Sequence, residues 1–386
     1  MTVQTNQSNL KNAQPIRVLQ VFASLNRGGA EIMLLTLHKA IDREKVQFDY
    51  IANETNQEFS LVKDITALGG KVYYVPKYLI LNHFKYKNAW KQILRENNQW
   101  HIIHAHHTAP AFIFFKIAKK YGTKTISHSH IASSNSSLKS MIKIYFRKKM
   151  IRFSDNQFAC SHAAGRWMFG KREYFMLKNA VDAKCFAFDN QKRESVRNSL
   201  ALNDYLIFGH FGRFTEQKNH QFLISIFFEI NRIHEKSRLL LLGSGPMLEK
   251  IRKQVKDSGL SDKVLFMGVR DDIPEFINGL DMFIFPSRYE GLPVTLVEAQ
   301  ANGLPCLVSD RVTKEIKITD NVEFLSLDEP ATTWAQRALE MAQANTRVNT
   351  TSDIIKAGYD VASNAAWLQS FYLDLDEQFN QGNKEL

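Results

Sequence analysis

The chain runs through the same βα alternation twice, and this repetition constrains its fold more than any other feature. In the first half IRVLQVFASL (16–25), VQFDYIAN (46–53), KVYYVP (71–76), WHIIHAHH (100–107), TKTISHSH (123–130), NQFACS (156–161) and YFMLKN (174–179) read as strands. Several are almost continuously apolar, as parallel strands covered on both faces must be. Helical stretches such as 30–41 and 89–98 separate them. The polar stretch NAVDAKCFAFDNQKRES (179–195) reads as a linker, and the pattern then restarts. Strands are expected at 205–214, 238–245, 263–269, 281–287, 305–310 and 323–327, with helices at 219–235, 246–258, 293–302 and 331–344.

Alternation of this kind predicts an α/β chain of two doubly wound, Rossmann-like domains. At 386 residues two cores are the natural expectation. The expected division is a disordered tail over 1–14, a first domain over 15–185, a second over 186–365, and a C-terminal helix over 366–386 that packs back on the first. Open sheets bind ligands beyond the carboxyl ends of their strands. Two such domains facing each other would line an interdomain cleft with loops from both.

Composition excludes several classes. Three widely spaced cysteines form neither a disulfide framework nor a metal-knuckle spacing, which fits a reducing compartment. The polar start MTVQTNQSNLKNAQ predicts no signal peptide, and no apolar run reaches the length of a membrane span. The net charge of +11 points to an anionic partner. Between Asn97 and Ser154 there are ten Lys or Arg and no Asp or Glu. Such an excess serves either solubility or a binding surface.

The candidate site residues lie in loops after strands. LNRGGAE (25–31) puts Gly28 and Gly29 at a helix entrance, where backbone amides can meet an anion or simply make a tight turn. GSGPML (243–248) has Leu248 where a dinucleotide fingerprint needs its third glycine, so a nicotinamide cofactor is a poor fit. Two histidine groups, His104, His106 and His107, then His128 and His130, end strands of the first half. Without a carboxylate nearby or an H-E-x-x-H pattern, no metal site is read from them, and one histidine of the second group is expected to face the cleft. In HFGRFTEQKNH (210–220), Gly212 makes a turn and Arg213 and Lys218 supply cations suited to a diphosphate. RYEGLPVTLVEA (288–299) carries the strongest signal. Pro293 suits the first helical position and Gly291 the turn before it, with Glu290 in the loop and Glu298 about five residues into the helix. Glu298 either faces water or accepts vicinal hydroxyls, as ribose-binding acids do.

Arg213, Lys218, Glu290 and Glu298, in this order on a double α/β chain, resemble the GT-B glycosyltransferases of family 4 over nearly the whole length. LNRGGAE, HSH, GRFTEQKN, FPSRYEGLPVTLVEAQANGLP and NAVD resemble the branch that builds bacterial exopolysaccharide and capsule. The resemblance implies a retaining, metal-independent transferase moving a sugar from a nucleoside-diphosphate sugar, with UDP the expected carrier, to a polyprenyl-diphosphate-linked saccharide. It implies that Arg213 and Lys218 hold the diphosphate, Glu298 the ribose, and Glu290 with Gly291, Leu292 and Pro293 the donor sugar. His128 is the expected acceptor-side histidine, with His130 the alternative register. Gly28, Gly29 and Gly212 would supply backbone near the diphosphate, and Gly268 and Arg270 of MGVRDD (267–272) would meet the base. No cofactor and no metal are implied; the only D-x-D, Asp374 to Asp376, lies in the C-terminal helix.

SLKSMIKIYFRKKMIRF (137–153) reads as a basic amphipathic helix with Leu138, Ile142, Phe146 and Met150 on one stripe. Lys139, Lys143, Arg147 and Lys148 would then meet an anionic bilayer or a lipid-linked acceptor, and PKYLILNHFKYK (76–87) adds apolar and basic residues. The competing reading is a domain-packing helix with a solvated flank. Without a recognition motif, nucleic acid is not expected. Localisation is expected to be cytoplasmic, peripheral to the inner face of the membrane. The alternatives in function are a sugar-nucleotide epimerase or hydrolase of the same double fold, and a non-catalytic sugar- or lipid-binding module.

Overall fold

A computed structural model describes residues 14–26, 28–54, 59–106, 110–130, 139–290, 292–344 and 347–382, giving the backbone alone for 139–145 and 382. The chain forms two compact units, 1–179 with 361–386, and 180–360. The divisions thus fall at Asn179/Ala180 and Asp360/Val361, where the sequence suggested 185/186 and 365/366.

In the first unit the strands are β1 (Ile16–Val21), β2 (Val46–Asn53), β3 (Val72–Val75), β4 (Trp100–Ala105), β5 (Lys124–Ser129), β6 (Asn156–Ala159) and β7 (Phe175–Met176). Its helices before the second unit are α1 (Gly29–Ala40), α2 (Val62–Ala67), α3 (His83–Glu96), α4 (Ala111–Ala118), α5 (Lys139–Phe153) and α6 (His162–Phe169). The sheet is ordered β3-β2-β1-β4-β5-β6-β7 and its pairings are parallel. The second unit holds β8 (Leu206–Phe211), β9 (Ser237–Leu242), β10 (Val264–Gly268), β11 (Met282–Phe285), β12 (Cys306–Ser309) and β13 (Val322–Leu325). Its helices are α7 (Asn190–Ser199), α8 (His220–Ile233), α9 (Leu248–Asp257), α10 (Ile273–Gly279), α11 (Val294–Ala301), α12 (Ala331–Ala344) and α13 (Thr351–Lys356). Its parallel sheet runs β10-β9-β8-β11-β12-β13. A last helix, α14 (Val361–Gly382), packs on α1 and β4 of the first unit.

Both sheets are therefore wound outward in two directions from a central pair, β1/β4 in one and β8/β11 in the other. That reversal leaves a crevice at the carboxyl ends of the central strands, because the crossovers on either side lead away from it. Burial explains the apolar runs: β9 (SRLLLL) has Leu239, Leu240 and Leu241 fully buried, as a strand covered on both faces requires.

Two local readings change. The linker 179–195 contains the start of α7, a polar helix capped by Asp189, whose carboxylate accepts from the amides of Gln191 and Lys192. Only Val196 and Arg197 of α7 are buried, so apolar periodicity gave little signal. The strand expected over 174–179 contracts to β7, a two-residue edge strand.

Candidate functional site

In the second unit β8 pairs directly with β11, Met282 opposite Phe208, so the loops that follow these strands emerge side by side. The first is placed by glycines. Gly243 has φ of +132° and Gly245 of +156°, and a side chain on either would collide with the backbone of Gly212 or Phe214. With no side chains there, Phe214 N–H donates to Ser244 O at 2.9 Å and Met247 N–H to Phe214 O at 3.0 Å. The glycines of GSGPML thus admit the chain around Arg213. Arg213 is exposed, and its guanidinium has no partner among the described residues.

The chain then makes a 3-10 turn over Glu216–Lys218, and Asn219 takes the left-handed conformation at φ 57°. This turn is stitched to the loop after β11. Asn219 Nδ2 donates to Pro286 O at 3.1 Å, and Arg288 N–H to Gln217 O at 2.8 Å. Gln217 Nε2 donates to Tyr289 O and to Glu290 Oε2, both at 3.0 Å. Lys218 Nζ lies 2.9 Å from Glu290 Oε1 and 4.6 Å from the centre of the Phe285 ring. The two side chains of this pair are 16% and 9% exposed, so the ion pair is largely withdrawn from water. Glu290 Oε1 receives no aligned hydrogen bond, so the contact is electrostatic only. Gln217 was not singled out from sequence; its place directly before Lys218 was the available signal.

Three more side chains that sequence reading passed over surround this pair in the chain. His210 Nε2 on β8, Ser287 Oγ after β11 and Thr295 Oγ1 in the first turn of α11 are buried without a hydrogen-bond partner among the described residues. A buried polar atom left unpaired costs roughly 1–3 kcal/mol. In sequence these three side chains fall around the carboxyl ends of β8 and β11. His210 is fixed in one tautomer, since Nδ1 donates to Ile284 O at 2.8 Å, and burial together with His220 and Lys218 holds it neutral.

Pro293 caps α11 from outside, at φ −76° and ψ 104°, one position before the first helical residue expected of it. Leu296, Val297, Ala299 and Ala301 are buried. Glu298, half-buried among them, has no partner for its carboxyl group among the described residues, and burial pushes it up to about 7. Leu292 is half-buried; Gly291 lies outside the described residues. Gly268 ends β10 at φ +69° and accepts from Gly243 N–H at 2.7 Å. Arg270, expected at a base, is engaged locally: its Nε donates to Asp272 Oδ1 at 2.8 Å and its guanidinium lies 5.0 Å from the Phe276 ring.

In the first unit Gly28 is the N-cap of α1, and the Glu31 carboxylate folds back over it so closely that a side chain at 28 would collide. Burial raises the Glu31 carboxyl. Gly29 has open space where a side chain would be. On β4 and β5 the side chains of His104, His106, His128 and His130 share one sheet face, alternate residues pointing the same way. His106 Nδ1 meets His130 Nε2 at 2.9 Å and its Nε2 meets Gln20 Oε1 at 3.0 Å, while His104 Nδ1 meets Tyr372 Oη of α14 at 2.6 Å. His128 is 2% exposed, and neither ring nitrogen has a partner among the described residues. Burial pushes all four rings down, and repulsion from neighbouring histidines adds to it at His104, His106 and His128, so the cluster is neutral. His107 lies outside the described residues.

Ring nitrogens of His104, His106 and His128 lie within 4.8 Å of one another. Zinc asks for three lone pairs converging at about 2.0–2.1 Å. His104 stacks on His106 at 20° and on His128 at 22°, which keeps the lone pairs of these rings in nearly parallel planes, while His106 and His128 are tilted by 42°. His106 also has both nitrogens committed. This arrangement fits a hydrogen-bonding platform better than a chelate.

α5 departs from its expected role. Met150 is 1% exposed and Phe146 stacks on Phe112 at 5.3 Å, so the described part of the apolar stripe packs into the unit. Arg147 donates to Trp167 O at 2.7 Å and lies 5.5 Å from the Trp167 ring, a structural tie that takes it out of a free basic face. Lys148 is exposed, and the side chains of Lys139 and Lys143 lie outside the described residues.

Residues 27–174 match the family described as Glycosyltransferase Family 4 and residues 191–359 that described as Glycosyl transferases group 1. The chain is 32% identical over 374 residues to the putative glycosyltransferase EpsF of Bacillus subtilis, covering 94% of this chain and 97% of that protein. It is 25% identical over 230 residues to a UDP-Gal:alpha-D-GlcNAc-diphosphoundecaprenol alpha-1,3-galactosyltransferase of Escherichia coli, 56% of this chain and 59% of that one. A crystal structure of Anabaena HepE in complex with UDP superposes with a TM-score of 0.70 at 17% identity, over 97% of this chain and all of the other. Two parallel sheets wound about central strand pairs, both family matches and a full-length relative lead to one conclusion: the chain belongs to the GT-B glycosyltransferases of the group 1 and family 4 type.

Proposed function

We propose that this glycosyltransferase moves a sugar, with retention of anomeric configuration, from a nucleoside-diphosphate sugar to a polyprenyl-diphosphate-linked saccharide in exopolysaccharide or capsule synthesis, at the inner face of the membrane. The observation that carries the donor half is the largely buried Lys218–Glu290 pair at the β8/β11 reversal, with the neutral ring of His210 beside Lys218. UDP as the carrier is supported by the Anabaena structure, which holds UDP, and a lipid-linked acceptor by the name of the E. coli relative.

Residue roles follow from the chemistry. Lys218 and Arg213 neutralise charge growing on the departing diphosphate, the interaction that lowers a barrier most when preorganised. Glu290, with Gly291, Leu292 and Pro293, takes donor-sugar hydroxyls, and Gln217 holds its carboxylate in place. Donor entry exchanges the Lys218–Glu290 contact for phosphate on one side and hydroxyl on the other. Glu298 accepts ribose hydroxyls, and Gly212, Gly268 and Arg270 border the nucleotide. From the first unit, Gly28 and Gly29 offer backbone amides and His128 a neutral ring with free nitrogens, the better acceptor-side histidine because His130 is already bonded to His106. The transfer is assigned no metal: Asp376 of the D-x-D on α14 is occupied by His101 at 2.5 Å. Attack on the same face as the leaving phosphate, assisted by its oxygen, accounts for retention without an enzyme nucleophile.

A panel of nucleoside-diphosphate sugars incubated with lipid extract tests this. Transfer is expected to need the lipid acceptor and to fall by two orders of magnitude or more in Lys218→Ala and Arg213→Ala, roughly the effect of removing a preorganised charge donor. Donor consumption without acceptor would instead indicate a hydrolase or epimerase.

A further inference from the structure

The first unit bears a surface that the site chemistry does not use. A groove of about 550 Å³ runs between α3 and α4. Lys87, Lys91 and Arg95 line it at four-residue intervals on α3, Lys116 and Lys120 on α4, and Lys149 reaches in from α5 to lie 5.5 Å from the Phe112 ring. No carboxylate is among its lining residues. At the N-terminal end of α3, beside His83 of the same groove, Leu79, Ile80, Leu81 and Phe84 are 58%, 64%, 101% and 78% exposed. Four large apolar side chains within six residues, all turned to water, form a ridge that a soluble surface seldom keeps without a partner.

The combination selects among partners. Nucleic acid would use the cations but not the ridge. A second copy meeting the same face would set its cations against these, a repulsive contact. An anionic bilayer satisfies both parts: the apolar ridge enters the acyl boundary and the cations meet the anionic headgroups. On α5 the described residues of the apolar stripe, Phe146 and Met150, pack into the unit and are not part of such a ridge.

We propose that the α3–α4 face, with the ridge of residues 79–84, docks the first unit on an anionic phospholipid surface. The proposal rests on the reading above that the acceptor is lipid-linked, and assigns the docking surface to a face different from the α5 stripe. The test is flotation of the full-length protein with vesicles of phosphatidylglycerol and phosphatidylcholine, against phosphatidylcholine alone. Wild type should float with the anionic vesicles only, and less at high salt. Leu81→Glu with Phe84→Glu, and separately Lys87→Glu with Lys91→Glu and Arg95→Glu, should each lower partitioning at least tenfold at unchanged thermal midpoints. Lys148→Glu on α5 should lower it less than twofold. Variants that float like wild type, or loss confined to Lys148→Glu, would overturn the surface. Concentration-dependent self-association in light scattering, abolished by Leu81→Glu, would overturn it in favour of a second copy. Failure of wild type to float would also overturn it, while wild-type transfer to a water-soluble diphosphate-linked saccharide would leave the transferase reading standing.

Discussion

Glu298 shows how burial alone can retune a single carboxyl group. Its neighbours on α11 are buried apolar groups, nothing in the described chain pairs with its carboxyl, and burial lifts it to about 7. Folding therefore binds a proton at Glu298 in the window between the ordinary carboxylate value near 4.5 and about 7. There the native state holds more protons than the unfolded one, so stability falls as pH rises through the window. Glu298→Gln should flatten that slope and stabilise the free protein above pH 7 by on the order of 1–3 kcal/mol, readable as a rise in thermal midpoint. Ribose hydroxyls need the ionised form as acceptor. Nucleotide affinity is thus expected to rise from pH 6 to pH 8 with release of a proton, measured by calorimetry in buffers of different ionisation enthalpy. A pH-independent affinity would remove Glu298 from the nucleotide. Gln217 makes the complementary case: bonded to Glu290 and Tyr289, it should position without touching phosphate, so Gln217→Ala should raise the donor KM more than it lowers kcat.

At the scale of elements, what aligns β8 with β11 matters as much as what hangs from them. Asp281, just before β11, accepts from Ile207 N–H of β8 at 2.7 Å and from Arg193 and Arg197 of α7 at 2.5 and 3.1 Å. Arg197 is also bonded to Gly279 O at 3.0 Å, so α7, β8 and the start of β11 share one polar hub. Removing one partner from a buried pair leaves an uncompensated charge, at about 3–5 kcal/mol. Asp281→Ala should cost about that much in chemical denaturation. Substitution of the exposed Lys192–Glu275 pair nearby should cost less than about 1 kcal/mol. α7 was the element least legible in the sequence, because its function is to supply two arginines rather than an apolar face. α5 was legible as a helix, but its stripe was open to two readings that only its neighbours Phe112 and Trp167 separate.

At the scale of the molecule, the first unit is completed by chain that follows the second. α14 packs on α1 and β4, and Tyr372 Oη is tied to His104 at 2.6 Å and to Gln20 at 3.2 Å. His104 and Gln20 of the first sheet are thus tied to the C-terminal helix. A chain ending at Asp360 should lose cooperative unfolding of the first unit while the second keeps its own transition, seen as loss of one of two calorimetric peaks. Two intact peaks would mean that α14 is dispensable.

The sequence by itself determined the strand and helix alternation, the two doubly wound sheets, and the loops that carry Arg213, Lys218, Glu290 and Glu298. Apolar periodicity and turn chemistry act over a few residues, so they are written locally. Which residues meet is decided by tertiary structure: Lys218 with Glu290 across 72 positions, Gln217 holding that pair, Glu298 without a partner among the described residues, and the cations of α3 and α4 gathered in one groove. Those facts depend on strand order and helix packing, because burial, which sets the cost of a charge and the need for a partner, is a property of the folded assembly and not of any stretch of chain.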